Sequence, residues 1–134
     1  RVLAQAGGQD SHAGHHGGPS PAAGKHRELI RTAAACKEVG EICLAHCLVL
    51  LGKGDTSLKD CAGLVAASNA MCDALIRLAA LDNPRLKELA QACIGVCSDC
   101  EKECRKHEGH HAECKACAEA CAACIKACKT VTGA

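Results

Sequence analysis

The chain is predicted to be all-α: an up-down-up-down four-helix bundle with a cysteine-lined core. Three observations predict it. Apolar residues recur at three- and four-residue spacings, which keeps one face of a helix. Nine cysteines follow the same rhythm: Cys93, Cys97, Cys100 and Cys104 are separated by 4, 3 and 4, and Cys114, Cys117, Cys121, Cys124 and Cys128 by 3, 4, 3 and 4. Only short polar, Gly- or Pro-containing segments separate the periodic stretches, so neighbouring helices run antiparallel.

The elements follow in order. Residues 1–24 are rich in Gly, Ala, Ser, Pro and His and lack apolar periodicity. They are expected to form a disordered tail before a bundle spanning 25–134. His12, His15 and His16 in this tail are either part of a solvated linker or a weak docking point for metal ions. The first helix is expected over 25–51, with Leu29, Cys36, Cys43, Cys47 and Leu50 on one stripe. Gly52-Lys53-Gly54 ends it, because glycine takes the left-handed conformation cheaply. The second is expected over 57–80, with Asp55, Thr56 and Ser57 as N-cap candidates and Cys61, Val65, Ser68, Cys72, Leu75 and Ala79 facing inward. The third is expected over 84–107, with Pro84 at its first position and Leu86, Leu89, Cys93, Cys97, Cys100 and Cys104 inside. Gly109 breaks the chain, and the fourth covers 111–131. Gly40, Gly63 and Gly95 fall inside helices at about 1 kcal/mol each relative to Ala. Close helix contact or room for ions would justify them.

Composition excludes several functions. Of 134 residues 14 are cysteine, none is aromatic, and Met71 is the one methionine. A net charge of +1 leaves no basic stripe for nucleic acid, and stacking platforms are absent. No apolar run approaches the ~18 residues of a membrane span. No Ser–His–Asp set or paired-carboxylate pocket is readable, so an enzyme is not expected. The chain starts at Arg1 rather than Met, and Ala4-Gln5-Ala6 fits the small-x-small pattern of a signal-peptidase site. That pattern alone leaves export to the periplasm and retention in the cytosol equally open.

Alternating helix direction sets which cysteines share a level. Cys47, Cys61, Cys104, Cys114 and Cys117 are expected at one end, the mouth. Cys43, Cys97, Cys100 and Cys121 fall in the middle. Cys36, Cys72, Cys93, Cys124 and Cys128 lie deepest, beneath a plug of Leu29, Leu75, Leu86 and Leu89. At about 1.5 Å per residue the column is roughly 20 to 25 Å long. His46 lies at the mouth, with the loop His107-Glu108-Gly109-His110-His111 beside it. His46 is expected to be a ligand there, the loop histidines are candidates, and ions are expected to enter at this end.

Three chemistries compete for the thiols. Disulfides suit an even count in an exported chain, but cysteines one helical turn apart have Cβ atoms about 5 to 6 Å apart, whereas a disulfide wants about 3.8 Å. Iron–sulfur clusters are wrapped by loops, commonly ending in Cys-Pro. Here the spacing stays in helical phase and no proline follows. Binding of d¹⁰ ions remains. Zinc demands four ligands, whereas Cu(I) is selected by soft sulfur and accepts two or three thiolates. Fourteen buried thiolates would carry −14, which is prohibitive unless neutralised. About one monovalent ion per thiolate does this; zinc at about three thiolates per ion leaves negative charge buried. The expected function is high-capacity Cu(I) storage, with more than ten ions per chain. The alternatives are a low-stoichiometry metallochaperone or zinc-binding protein, and a thiol/disulfide redox protein.

Longer motifs carry a resemblance. Gly7-Gly8-Gln9-Asp10-Ser11-His12-Ala13-Gly14-His15, Cys36-x6-Cys43-x2-His46-Cys47, Cys97-x2-Cys100-x3-Cys104 and Ala112-Glu113-Cys114-Lys115-Ala116-Cys117-x3-Cys121-x2-Cys124-x3-Cys128 together resemble the bacterial copper storage proteins. The resemblance spans essentially the whole chain. It implies many Cu(I) ions held by all fourteen cysteines, and export through a signal now removed. It further implies a homo-oligomer, a tetramer or dimer of bundles, with a copper-accepting enzyme or chaperone as partner. His46 matches a histidine ligand near the open end of relatives. Where relatives can line that end with methionines, this chain has Leu50, Lys53 and Leu58. Cys93 looks like an extra deep cysteine.

Overall fold

The computed structural model describes Gly14, Gly17, Gly18 and residues 24–133. Four helices carry the described chain: α1 Arg27–Gly52, α2 Lys59–Ala80, α3 Leu86–His107 and α4 Ala112–Thr132. Each packs against its two neighbours in a ring, α1 on α2 and α4, α3 on α2 and α4. That is the antiparallel four-helix arrangement the short turns require. His12, His15, His16 and the Ala4-Gln5-Ala6 site lie outside the described residues.

Each helix begins one or two residues after its sequence signal. Asp55 Oδ1 accepts the Ser57 N–H at 2.9 Å, forming a turn rather than a cap. The N-cap of α2 is Leu58, which no side chain caps. Its own side chain is fully buried and anchors the turn beneath the bundle. Asn83 likewise accepts the Arg85 N–H at 2.9 Å, so Pro84 sits in the turn and α3 starts at Leu86. Gly52 remains helical, and the left-handed residue that ends α1 is Gly54, at φ 86°. After α2 the chain reverses through Asp82 at φ 44°, a conformation Asp tolerates better than most residues. The Asn83 N–H reaches back to the Leu78 carbonyl at 3.0 Å, satisfying an end-of-helix acceptor.

The core is sulfur in the middle and aliphatic at one end. All fourteen cysteines are free and buried. Leu29, Ala33, Leu75, Ala79, Leu86 and Ala90 close the end away from the α1–α2 turn. Leu89, expected in this plug, is only half-buried; Ala90 takes the inward position because it continues the four-residue step from Leu86. Outside the plug, His26 Nε2 donates to Asp82 Oδ1 at 2.7 Å, and Lys25 Nζ to Oδ2 at 3.3 Å. This clasp ties the start of α1 to the α2–α3 turn.

Of the three helix-interior glycines, Gly40 has a structural reason. It is buried on α1, and a Cβ there would run into the Asn69 side chain of α2. Asn69 in turn donates Nδ2–H to Glu41 Oε1 at 3.2 Å. Gly63 and Gly95 face open space, so neither makes a close contact.

Candidate metal centre

The four inward stripes bring every thiol but that of Cys114 into groups whose sulfur atoms lie within 4.8 Å of one another. From the mouth inward these are Cys43, Cys47 and Cys61; Cys43, Cys104 and Cys117; Cys100, Cys117 and Cys121; Cys36, Cys72, Cys97 and Cys124; and Cys93, Cys124 and Cys128. Shared members link the first three groups through Cys43 and Cys117, and the last two through Cys124. Close pairs run along it: Cys61–Cys104 at 3.4 Å, Cys93–Cys97 at 3.6 Å and Cys100–Cys117 at 3.9 Å. A sulfur–Cu(I)–sulfur unit spans roughly 4.5 Å if each bond is about 2.3 Å, as for zinc. Only small side-chain rotations would admit ions.

Two levels differ from the sequence expectation. Cys97 lies one level deeper than expected, with Cys36, Cys72 and Cys124, and Cys43 lies nearer the mouth, with Cys47 and Cys61. Counting rise from helix ends ignores how far neighbouring helices slide past each other. Between α1 and α2, Gly40 meets the Asn69 side chain.

Protons are unevenly shared along the column. Cys100 is pushed down to about 2 by S–H donors on Cys104, Cys117 and Cys121. Cys36 drops to about 4 through Cys121, Cys124 and Cys72, and Cys128 to about 4 through Cys124 and Cys93. Cys97 is also lowered, by Cys121, Cys124, Cys36 and Cys72. The donors move the other way. Cys104 is raised by Cys100, Cys117, Cys43 and Cys61, and Cys121 by Cys100, Cys117, Cys36 and Cys97. Cys47 and Cys114, near the mouth, are raised chiefly by burial. Close sulfur pairs thus run along the column, and a Cu(I) ion can take the place of a proton held between two sulfurs.

The mouth carries a polar fringe. His46 Nε2 and His111 Nδ1 are 3.0 Å apart, sharing one proton. Glu113 Oε2 lies 3.6 Å from His46 Nε2. His107 turns to Glu103 instead, at 3.1 Å, and His110 is exposed. His46, His111 and His107 are therefore brought together, with the His107 ring edge-on to His111 at 6.4 Å between centroids, while His110 is not. Sequence reasoning missed Glu113 and Glu103, which partner these imidazoles. The one available signal was that Glu103 and His107 stand four residues apart on one helix.

A bundle whose core is a column of buried soft donors defines a protein that holds many soft metal ions at once. Residues 22–133 match the family described as copper storage protein. The chain belongs to the copper storage protein family. Among solved structures it is similar to the copper storage protein of Streptomyces lividans loaded with 10 copper equivalents, at 28% identity and TM-score 0.73, covering 81% of this chain and 83% of that one. It is also similar to apo copper storage protein 3 of Bacillus subtilis, at 27% identity and TM-score 0.70, covering 79% and 97%. An S. lividans structure with five coppers, from a protein described as cytosolic, matches at 27% identity and TM-score 0.73 over 81% and 92%. A cysteine-rich protein of Bacillus subtilis (strain 168), YhjQ, is 29% identical over 91 residues, 68% of this chain and 81% of that protein.

These relatives correct one expectation. Export was inferred from three residues and from resemblance to exported family members, whereas the S. lividans match is to a cytosolic protein. Small-x-small triplets are common in Ala- and Gly-rich segments, so the triplet does not carry the inference of export.

Proposed function

We propose that this chain stores Cu(I) with all fourteen cysteines as ligands, and with His46 and His111 as further ligands at the mouth. The observation that carries this is the set of overlapping sulfur groups, which leaves few thiols without two or more sulfur neighbours. Soft thiolates select Cu(I), and one monovalent ion per thiolate removes the charge that burial would penalise. Storage calls for no reaction catalysed by the chain. A homo-oligomer fits the exposed apolar side chains of Ile42, Leu48 and Val49 on the outer face of α1; sedimentation of the full chain tests that part.

The capacity experiment is an anaerobic titration of the reduced chain with Cu(I) against a chromogenic chelator. On the order of 10 to 16 ions per chain are expected. Saturation at one or two would sink the reading.

A further inference from the structure

The inner stripe of α2 runs Cys61, Val65, Ser68, Cys72, at spacings of 4, 3 and 4. This is the rhythm that α3 and α4 fill with sulfur. Ser68 therefore puts a hydroxyl where the pattern calls for a thiol. It is 2% exposed. Its Oγ lies 3.5 Å from Cys97 Sγ and 3.9 Å from Cys121 Sγ. Those thiols come from different helices and different levels: Cys97 groups with Cys36, Cys72 and Cys124, and Cys121 with Cys100 and Cys117.

The other side of this height is also without sulfur. Gly40 of α1 is buried there, and Asn69 fills the space above it. The cysteines of α1 nearest Gly40 are Cys36 and Cys43, about a turn away on either side. At this height α3 and α4 carry the cysteines, with Cys36 of α1 reaching Cys97 from about a turn away. The column has a waist, and Ser68 touches the sulfur on each side of it.

Serine oxygen is a hard, neutral donor and a poor partner for Cu(I). A buried hydroxyl still needs a hydrogen-bond partner, and here sulfur is what it meets. Resting on the copper-storage reading, we propose that Ser68 is a positioning residue rather than a ligand: its hydroxyl holds Cys97 and Cys121 together at the waist, so that ions pass from the mouth levels to the deep ones. Each Cu(I) that reaches either sulfur replaces the thiol proton, which leaves as H⁺. Copper keeps its oxidation state, and the serine O–H stays intact, donating to sulfur.

The test uses the full reduced chain and three variants, Ser68→Ala, Ser68→Thr and Ser68→Cys, each first checked for helix by circular dichroism. Cu(I) is added anaerobically as its acetonitrile complex to half saturation. Free thiols are alkylated at set times, and mass spectrometry follows protection of each cysteine. Ser68→Ala should keep the total capacity yet slow protection of Cys36, Cys72, Cys93 and Cys128 about three- to tenfold, the scale of one lost hydrogen bond. Cys47 and Cys61 should be protected at the wild-type rate. Ser68→Thr, which keeps the hydroxyl, should restore deep protection. Ser68→Cys should add about one ion without slowing, and it decides the matter even if the alanine variant does not fold. Loss of an ion in Ser68→Ala would make Ser68 a ligand and overturn the proposal. Unchanged deep rates in Ser68→Ala, or unchanged capacity in Ser68→Cys, would overturn it too. Binding of only one or two ions by the wild-type chain would instead overturn the storage reading itself.

Discussion

The two ends of the bundle are closed by different chemistry. At the mouth, Cys47, Cys61 and Cys114 lie under imidazoles and a carboxylate, His46, His111 and Glu113, with Leu58 tucked beside them. At the far end the deepest thiols lie under Leu29, Ala33, Leu75, Ala79, Leu86 and Ala90, and a His26–Asp82–Lys25 clasp sits outside. An ion leaving through the far end would have to cross aliphatic packing that offers no donor. An ion at the mouth meets ring nitrogens, which suit copper. The lesson is that a column with sulfur throughout still has a direction, set by its caps and not by its ligands.

Truncating a buried leucine at each end should break the symmetry most visibly. Leu75→Ala and Leu58→Ala each remove a fully buried side chain, so each should destabilise the apo-protein by about 2 to 5 kcal/mol. Denaturant melts would measure this. Only Leu58→Ala should also speed Cu(I) uptake. Equal uptake by both variants would mean that the mouth is not the entrance.

The next largest effect separates rate from capacity. The pair His46→Ala/Cys47→Ala should slow initial uptake by about tenfold, the lower end of what lost outer contacts cost a metal site, while removing one or two sites. Cys93→Ala/Cys128→Ala should lower capacity by about two ions and leave initial uptake unchanged. Stopped-flow mixing with Cu(I) reads both. If the deep pair slows initial uptake and the mouth pair does not, the direction is reversed.

Gly40 lies between the ends and serves as a control. Gly40→Ala drives a Cβ into Asn69. Overpacking costs about 1 to 3 kcal/mol, and better helix propensity returns about 1 kcal/mol. A net loss of about 1 kcal/mol is expected in thermal melts, with the order of copper loading preserved.

The smallest effect belongs to the clasp. His26, and after it Lys25, holds the Asp82 carboxyl below the usual carboxylate range. A lowered folded-state pKa means that the contribution is present above the unfolded pKa of about 3.9 and fades as pH falls through the folded value. Asp82→Asn keeps a residue tolerant of the left-handed backbone and should flatten the fall in melting temperature below about pH 4. Copper uptake should not change. An equally steep acid limb in the variant would show that the clasp contributes nothing.

The bundle and its inward stripes were legible because cysteine at helical spacing marks a face as plainly as leucine does. Every cysteine placed on a stripe is buried. The levels were less legible. Cys43 and Cys97 shifted because a stripe fixes which residues face inward, not how far one helix slides along its neighbour. The slide depends on contacts made across helices, such as Gly40 against Asn69, and no local pattern shows such a pair. Helix starts were misread for a related reason: Asp55 and Asn83 bond within their turns, while Leu58 and Leu86, both buried, stand where the helices begin. Ser68 stood in the predicted stripe, but its spacing could not reveal that it lies between two thiols.

α3 and α4 contribute nine cysteines and α1 and α2 five. Because every ligand position is one step in a helical stripe, a change between sulfur and a small aliphatic side chain leaves the backbone as it is. Val65 and Ala33 fill buried steps of the same stripes, and cysteine packs as a small hydrophobe. A lineage can therefore enlarge or shrink this container a single ion at a time, by point substitution, without passing through an unfolded ancestor.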